Sequence, residues 1–266
     1  MDCPELYINA NSLQRIDAKD VLERWIGKMI WKSNEIVLDL GCGPGDVTSD
    51  ILYPFLKNKI ELLVAVDKSK QMVEFAKRNY GCSKINFKVL DIENVNDCTF
   101  NSCGFNKIFS FYCLHWIQNK LDALVNMHLM LKNSGEILVY FLLVNPVVEL
   151  YKCMDEEWKK YVPDIIQKAQ TIYSEEEVKL LFIKAGFKVI SIESSIKKHT
   201  YPDFTSFLNA IKPVDDMYNI LSPHLHDRYS IHVKDKIYEK QLVDICPTTG
   251  KATHSYIPIT VHAVKN

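Results

Sequence analysis

Apolar residues along this chain recur with two periods. From residue 12 to 31 they fall at Leu13, Ile16, Ala18, Val21, Leu22, Trp25 and Ile26, one broad helical face with Ser12 as a candidate N-cap. Short apolar runs then alternate with helical stretches. The pattern predicts strands at 35–40, 61–66, 86–90, 105–111 and 135–143, and helices at 46–56, 70–79 and 119–131. Residues 91–104 read as a loop, and Asn133-Ser134-Gly135 as a turn before the fifth strand. Such alternation predicts an α/β, doubly wound, mostly parallel sheet with helices on both faces.

After Asn145-Pro146 the pattern changes. Residues 147–172 are amphipathic, with Trp158, Tyr161 and Pro163. Ser174 and Glu177 form a capping box that opens a helix to about Lys184, and Gly186 ends it. A strand is expected at 187–196, then a mostly helical stretch over 203–241, broken at Pro213 and Pro223. The alternating run His254 to Lys265 contains Pro258, which predicts an antiparallel or edge strand with a bulge. One domain over 1–266 follows. The N-terminal helical segment 1–31 and the segments 146–172 and 203–241 are candidates for a helical cap over an acceptor pocket.

Composition narrows the function classes. The 266 residues are 47% hydrophobic and 24% charged, values of a globular chain. A net charge of −1 offers no electrostatic case for a nucleic-acid partner. Eight cysteines include no C-x-x-C pair, and no Cys/His cluster has metal-ligand spacing, so no metal is expected. The longest apolar run, Ile137 to Val144, is too short to span a membrane. The N-terminus lacks an apolar leader, and Asp2 stands where myristoylation needs glycine. A reduced, cytoplasmic protein without membrane attachment, monomeric or homodimeric, is the default.

The segment with the most chemistry is Val37-Leu38-Asp39-Leu40-Gly41-Cys42-Gly43-Pro44-Gly45. A buried strand runs into a glycine-rich turn and then a helix. Backbone without Cβ can press against a ligand, and the N–H groups opening the helix can face its carboxylate. Position 46 is Asp, so the G-x-G-x-x-G dinucleotide spacing is absent. Aspartate at the strand end followed by Gly-x-Gly-x-Gly is similar to the S-adenosylmethionine signature of seven-stranded methyltransferases. On that reading Asp39 holds the methionine ammonium, directly or through water, with Gly41, Cys42 and Gly43 alongside. Asp67 ends the second strand and suits a ribose diol as a charge-assisted acceptor, with Lys68 next to it. It can cap the following helix as well, and the two roles can coexist. Asp91 ends the third strand and can accept from the adenine amino group while the Ile92 backbone reads the ring edge. Met72 packs either on adenine or in the core.

The fourth strand runs into Phe109-Ser110-Phe111-Tyr112-Cys113-Leu114-His115-Trp116-Ile117. Ser110 falls at the cofactor end, and the aromatics cluster where a methyl donor would point. Tyr7, Asn11, Gln14 and Arg15 bring polar groups from the N-terminal segment. Gln14 can donate its amide to a carboxylate or simply face solvent. His115 is either a catalytic base or a satisfied structural histidine, and Trp116 either contacts the acceptor or packs in the core.

Taken together, Glu5-Leu6-Tyr7, Asn11-Ser12-Leu13-Gln14-Arg15, Asp17-Ala18, the glycine segment, Val89-Leu90-Asp91-Ile92-Glu93 and the Phe-Ser-Phe-Tyr-x-Leu-His-Trp-Ile stretch resemble the arthropod juvenile hormone acid O-methyltransferases. The resemblance covers residues 1–145 well and the remainder weakly. It implies a Rossmann-like class I methyltransferase fold and methylation of a sesquiterpenoid acid, farnesoic acid or a juvenile hormone acid, with S-adenosyl-L-homocysteine as product. It places Gln14 and Trp116 at the acceptor carboxylate. Lys212-Pro213 stands where an Asn-Pro is usual, which bears on the substrate more than on the reaction. Two other readings stay open: another small or fatty carboxylic acid as substrate, or a non-catalytic S-adenosylmethionine-binding paralogue. An apolar tunnel ending at Gln14 marks the first reading, a short pocket lined by Arg or Lys the second, and a blocked pocket the third.

Overall fold

The computed structural model describes residues 3–95, 104–168 and 174–266. Ten strands form two sheets. The larger sheet holds β1 (Glu35–Leu40), β2 (Ile60–Asp67), β3 (Ile85–Val89), β4 (Phe105–Phe111), β5 (Leu131–Leu142), β6 (Phe187–Ser194) and β10 (Pro258–Lys265). Its order is β3-β2-β1-β4-β5-β10-β6, with β10 antiparallel to both its neighbours and the other pairs parallel. Parallel strands covered on both faces are apolar throughout, and Val37, Leu38, Ile108, Ile137 and Val139 are fully buried.

Capping differs among the helices: Ser12, the candidate N-cap, is the first residue of its helix, and Asn11 stands at the cap with no side-chain bond. Ser69 caps Lys70–Tyr80 by accepting from the Met72 N–H, and Asn119 caps Lys120–Met130 through the Asp122 N–H. Ser174 caps Glu175–Lys184, and its hydroxyl meets Glu177 Oε2 at 3.0 Å. The helix expected at 46–56 forms with a wider i→i+5 turn over Thr48–Leu52, closed by Tyr53 N–H on the Thr48 carbonyl. Part of the expected loop 91–104, with Cys98 and Cys103, lies outside the described residues, as does the end of segment 147–172.

Four expectations change. Asn133-Ser134-Gly135, expected as a turn, lies within β5, with Ser134 at φ +61°. The N-terminal helix stops at Trp25, followed by a short 3₁₀ turn, and a further short helix, Pro4–Ile8, precedes it. The expected strand 254–265 divides at Ile257 into β9 (Ala252–Tyr256) and β10. Pro258 sits at the first position of an interior strand, where its missing N–H costs little, and the register shift falls between His262 and Ala263. The expected strand 187–196 likewise ends at Ser194, and β7 (Lys197–Tyr201) follows separately. β7 pairs with β9, and β9 with β8 (Asp244–Ile245), in a small sheet that the polar composition of these strands does not announce.

The region expected to form the cap therefore mixes this sheet with helices, including Pro146–Cys153, Phe204–Ile211 and His226–Glu239. It has its own apolar cluster around Tyr151, Trp158, Phe207, Met217 and Tyr229. At the opposite end of the parallel strands, Lys107 pairs with Glu35 at 3.2 Å and Glu136 at 3.3 Å, and Glu136 meets His262 at 2.6 Å. Glu136 also accepts from the Ile30 N–H, which ties the chain after the N-terminal helix to the sheet.

Candidate functional site

The order of the sheet reverses at β1, between β2 and β4, the place where open α/β sheets take ligands. A cavity of about 690 Å³ opens there. Its floor is the glycine turn. Gly41 and Cys42 N–H groups donate to the Val66 carbonyl at 2.8 and 3.0 Å, folding the turn over β2. Gly41 has φ +77°, and a Cβ there would lie 2.5 Å from Cys113 Sγ. Gly43 has φ +53°, and a Cβ would meet nothing within 4 Å, so its face is open.

Asp67 accepts from Gly43 N–H at 3.0 Å and from Ser69 N–H at 2.9 Å. It is thus both a helix-start residue and a cavity wall. Asp91 accepts from Glu93 N–H at 3.0 Å. Gly41, Gly43, Asp67, Lys68, Met72, Asp91 and Ile92 all line the cavity. Three predicted residues are not among its lining. Asp39 lies behind the turn, 3% exposed, and accepts from the Thr48 hydroxyl at 2.6 Å. Cys42 packs its side chain into the core. Ser110 donates its hydroxyl to the Leu40 carbonyl at 2.9 Å, which holds β4 against β1.

The cavity wall carries carboxylates and lysines, and burial sets the titration of the groups deepest around it. Burial pushes the Asp39 carboxyl up to about 7, against the pull of the Thr48 hydroxyl and with the help of Asp67. Burial also raises Asp67. Cys113 is pushed up to about 12 by burial and then by the Asp67 charge. Tyr7 is raised by burial, Asp46 and Asp67. Burial is the largest cause in each case and disfavours cationic forms as well: it lowers Lys120, another wall residue, to about 8.

A second cavity, of about 100 Å³, adjoins the first. Tyr7, Tyr112, His115, Trp116, Leu142 and Asn145 line both. Its other walls include Leu13, Gln14, Leu150, Phe207, Ile211 and Ile237. No Asp, Glu, Lys or Arg is among the described residues lining it. Gln14 Oε1 is buried there with no hydrogen-bond partner. Trp116 and Gln14 are therefore brought together, as expected. Arg15 is not at this pocket: its guanidinium pairs with Asp46 and, at 3.2 Å, with Asp50, while Asn11 donates to Asp46 at 2.9 Å.

His115 lines both cavities, but its environment argues against a catalytic base. Burial, with a smaller contribution from Lys120, lowers it to about 3. Its Nδ1 accepts from the Leu142 N–H at 3.4 Å. A group with so low a pKa is neutral near pH 7 and a weak proton acceptor.

The residue most conspicuously missed from the sequence is the partner set of Asp17. Its Oδ2 accepts the hydroxyls of Tyr112 at 2.5 Å, Tyr140 at 2.6 Å and Tyr256 at 2.9 Å, and Lys197 donates to Oδ1 at 2.9 Å. The N-terminal helix, the main sheet and the small sheet meet on this one carboxylate. Tyr112 itself sits at φ +54°, so its ring is held against a backbone preference. A signal was present: Leu13, Asp17 and Val21 share one helical row, and a carboxylate inside a buried row needs partners.

A methyltransferase domain family matches residues 31–186. The juvenile hormone acid O-methyltransferase of Bombyx mori is 32% identical over 92% of this chain and 90% of its own length. The chain belongs to the juvenile hormone acid O-methyltransferase family. The enzyme of that name from Drosophila melanogaster is 31% identical over 86% of this chain and 80% of its own length. The YcgJ protein of Bacillus subtilis superposes with a TM-score of 0.59 at 16% identity, over 93% of this chain and 98% of that one, a likeness of fold.

As a family member the chain is an S-adenosylmethionine-dependent O-methyltransferase. The cavity suits that cofactor: the open face of Gly43 leaves room for it, and Asp67 and Asp91 bring carboxylate acceptors to the wall. Among the described residues no group of His, Cys, Asp and Glu could hold a metal ion, and no helix is long and apolar enough to cross a membrane.

Proposed function

We propose that this protein methylates the carboxylate of a sesquiterpenoid acid, a juvenile hormone acid or farnesoic acid. The observation that carries the reading is the second cavity: aromatic and aliphatic walls, no charged side chain among those described, and Gln14, whose buried Oε1 has no hydrogen-bond partner. A polyanionic acid would meet no cation there. An apolar acid needs only shape and a few neutral donors.

In this reading Asp67 accepts the ribose hydroxyls, Asp91 and Ile92 meet adenine, Met72 and Lys68 flank the adenosyl group, and Asp39 acts on the methionine ammonium from behind Gly41 and Gly43. S-adenosylmethionine supplies an electrophilic methyl on a sulfonium leaving group. The protein's part is positional. The acid, with a side-chain-like pKa of ~4–5, is already ionised near neutral pH. Gln14 turns its amide N–H to one carboxylate oxygen, leaving the other to form the new C–O bond while the S–C electrons return to sulfur. No proton moves, so no base is needed. A neutral amide suits better than a cation, because carboxylate charge falls in the transition state. Trp116 and the cap helices keep water out.

The cavity's 100 Å³ is smaller than the ~300 Å³ at the low end of ligand pockets. Long acids would therefore part the cap walls, and a shorter or fatty acid is the second reading. A methyl-transfer assay over terpenoid, fatty and tricarboxylic acids separates them. Terpenoid acids should be best, and each further buried carbon should add up to ~0.8 kcal/mol until the pocket is full. Equal rates for acetate-sized and farnesyl-sized acids, or a preference for polyanions, would refute the sesquiterpenoid reading.

A further inference from the structure

Asn145 stands at the junction of the two cavities and lines both. It also caps the helix Pro146–Cys153: its Oδ1 accepts the Val147 N–H at 3.0 Å. That bond decides which way the amide faces. Turned over, the NH₂ group would oppose a backbone N–H, donor against donor. The Nδ2 group is therefore held away from the cap, and it is shut off from solvent with no hydrogen-bond partner. A buried donor left unpaired is costly, and native proteins keep few of them. Here the orphan donor and the orphan oxygen Gln14 Oε1 belong to one cavity whose described walls carry no charge.

We propose that Asn145 Nδ2 is the second donor to the acceptor carboxylate, a substrate-positioning residue that works opposite Gln14; this rests on the carboxylic-acid reading above. Two neutral amides from different elements then hold the carboxylate. Gln14 lies on the N-terminal helix and can turn its amide, whereas Asn145 is locked by its cap bond. The locked donor sets the plane of the carboxylate, and the adjustable one completes it. The same bond latches the start of the cap helix to the substrate.

The test separates the capping role from the donor role. Asn145→Asp keeps an acceptor for Val147 N–H but replaces the inward donor with a negative oxygen. Asn145→Ser keeps the cap and deletes the donor. With S-adenosylhomocysteine-loaded protein, farnesoic acid and farnesol are titrated by calorimetry, and melting temperatures are recorded. Wild type should bind the acid more tightly than the alcohol. Asn145→Ser should lose about 10- to 150-fold in acid affinity, the range for a hydrogen bond to a charged group. Asn145→Asp should lose more, with farnesol affinity unchanged within about threefold in both variants, a range well inside the energy of such a bond. Acid affinity retained in both variants overturns the role of Asn145 and leaves the acid reading standing. Wild type binding farnesoic acid no better than farnesol overturns that reading and this proposal with it. Should Asn145→Asp melt early, Asn145→Ser carries the same comparison.

Discussion

The cavity at the strand ends and the pocket under the cap share six lining residues, yet their walls follow different rules. The first is made of backbone turns and carboxylates: the Gly41–Gly43 turn, Asp67 and Asp91, with Asp39 behind. It carries charged side chains of both signs, Asp67 and Asp91 beside Lys68 and Lys120. The second is made of rings and aliphatic chains, and its polar groups are neutral amides, hydroxyls and unprotonated imidazole. Charged groups wall one and neutral surfaces the other. The seam between them, Tyr112 to Trp116, is where a methyl group would cross. It is held by Asp17, which belongs to neither cavity.

The largest effect should come from that seam. Asp17→Ala leaves three tyrosine hydroxyls and the Lys197 ammonium without their common acceptor. Breaking such a buried ionic network costs about 3–5 kcal/mol. Urea denaturation should show that loss, and both cavities should suffer together. A fall confined to acceptor binding would mean that Asp17 serves one side only.

Next, each cavity can be broken alone. Gln14→Ala should lower kcat/KM by about 10- to 1000-fold through lost positioning, with S-adenosylhomocysteine affinity nearly intact. Full activity on the best acid would remove Gln14 from the reaction. Conversely, Asp67→Ala should weaken S-adenosylhomocysteine binding by about 1.5–3 kcal/mol, the range for hydrogen bonds to a charged group. Unchanged affinity in a folded variant would take Asp67 out of the site.

The smaller effects are titrations. Burial behind the glycine turn pushes the Asp39 carboxyl up to about 7, against 3.8 unperturbed. Binding a cation favours its ionised form, so cofactor binding releases a proton and strengthens as pH rises from 6 to 8, by no more than about tenfold per pH unit. For the ligand-free fold the sign is opposite: a raised carboxyl pKa means the native state holds the extra proton, and this contribution to stability is lost as pH rises through about 7. Asn in place of Asp39 should abolish both dependences. On the acceptor side kcat/KM should stay flat above about pH 6, since His115 at about 3 does not titrate there. A rise near pH ~6.5, the unperturbed histidine value, lost in His115→Ala, would make His115 a base after all.

The strand–turn–helix around Asp39, the strand-end aspartates and the order of alternating units were legible because each is local. A buried strand needs contiguous apolar residues, a glycine turn needs contiguous glycines, and strand ends line one edge of the sheet by rule. Gln14 and Trp116 were placed by the family resemblance in their surrounding motifs, and that they share a pocket became visible only in three dimensions. The small sheet, the interior position of β10, the ends of Asp17's hydrogen bonds and the orientation of Asn145 had no local signature. Asp17 and Tyr256 are 239 positions apart, and their bond exists only because the N-terminal helix and β9 pack on the same face of β5. What the sequence determined by itself was the strand-end cavity, which is written in backbone turns and strand ends at short range. The second pocket was decided by tertiary packing, because side chains from residue 7 to residue 256 become one wall only when distant segments pack together.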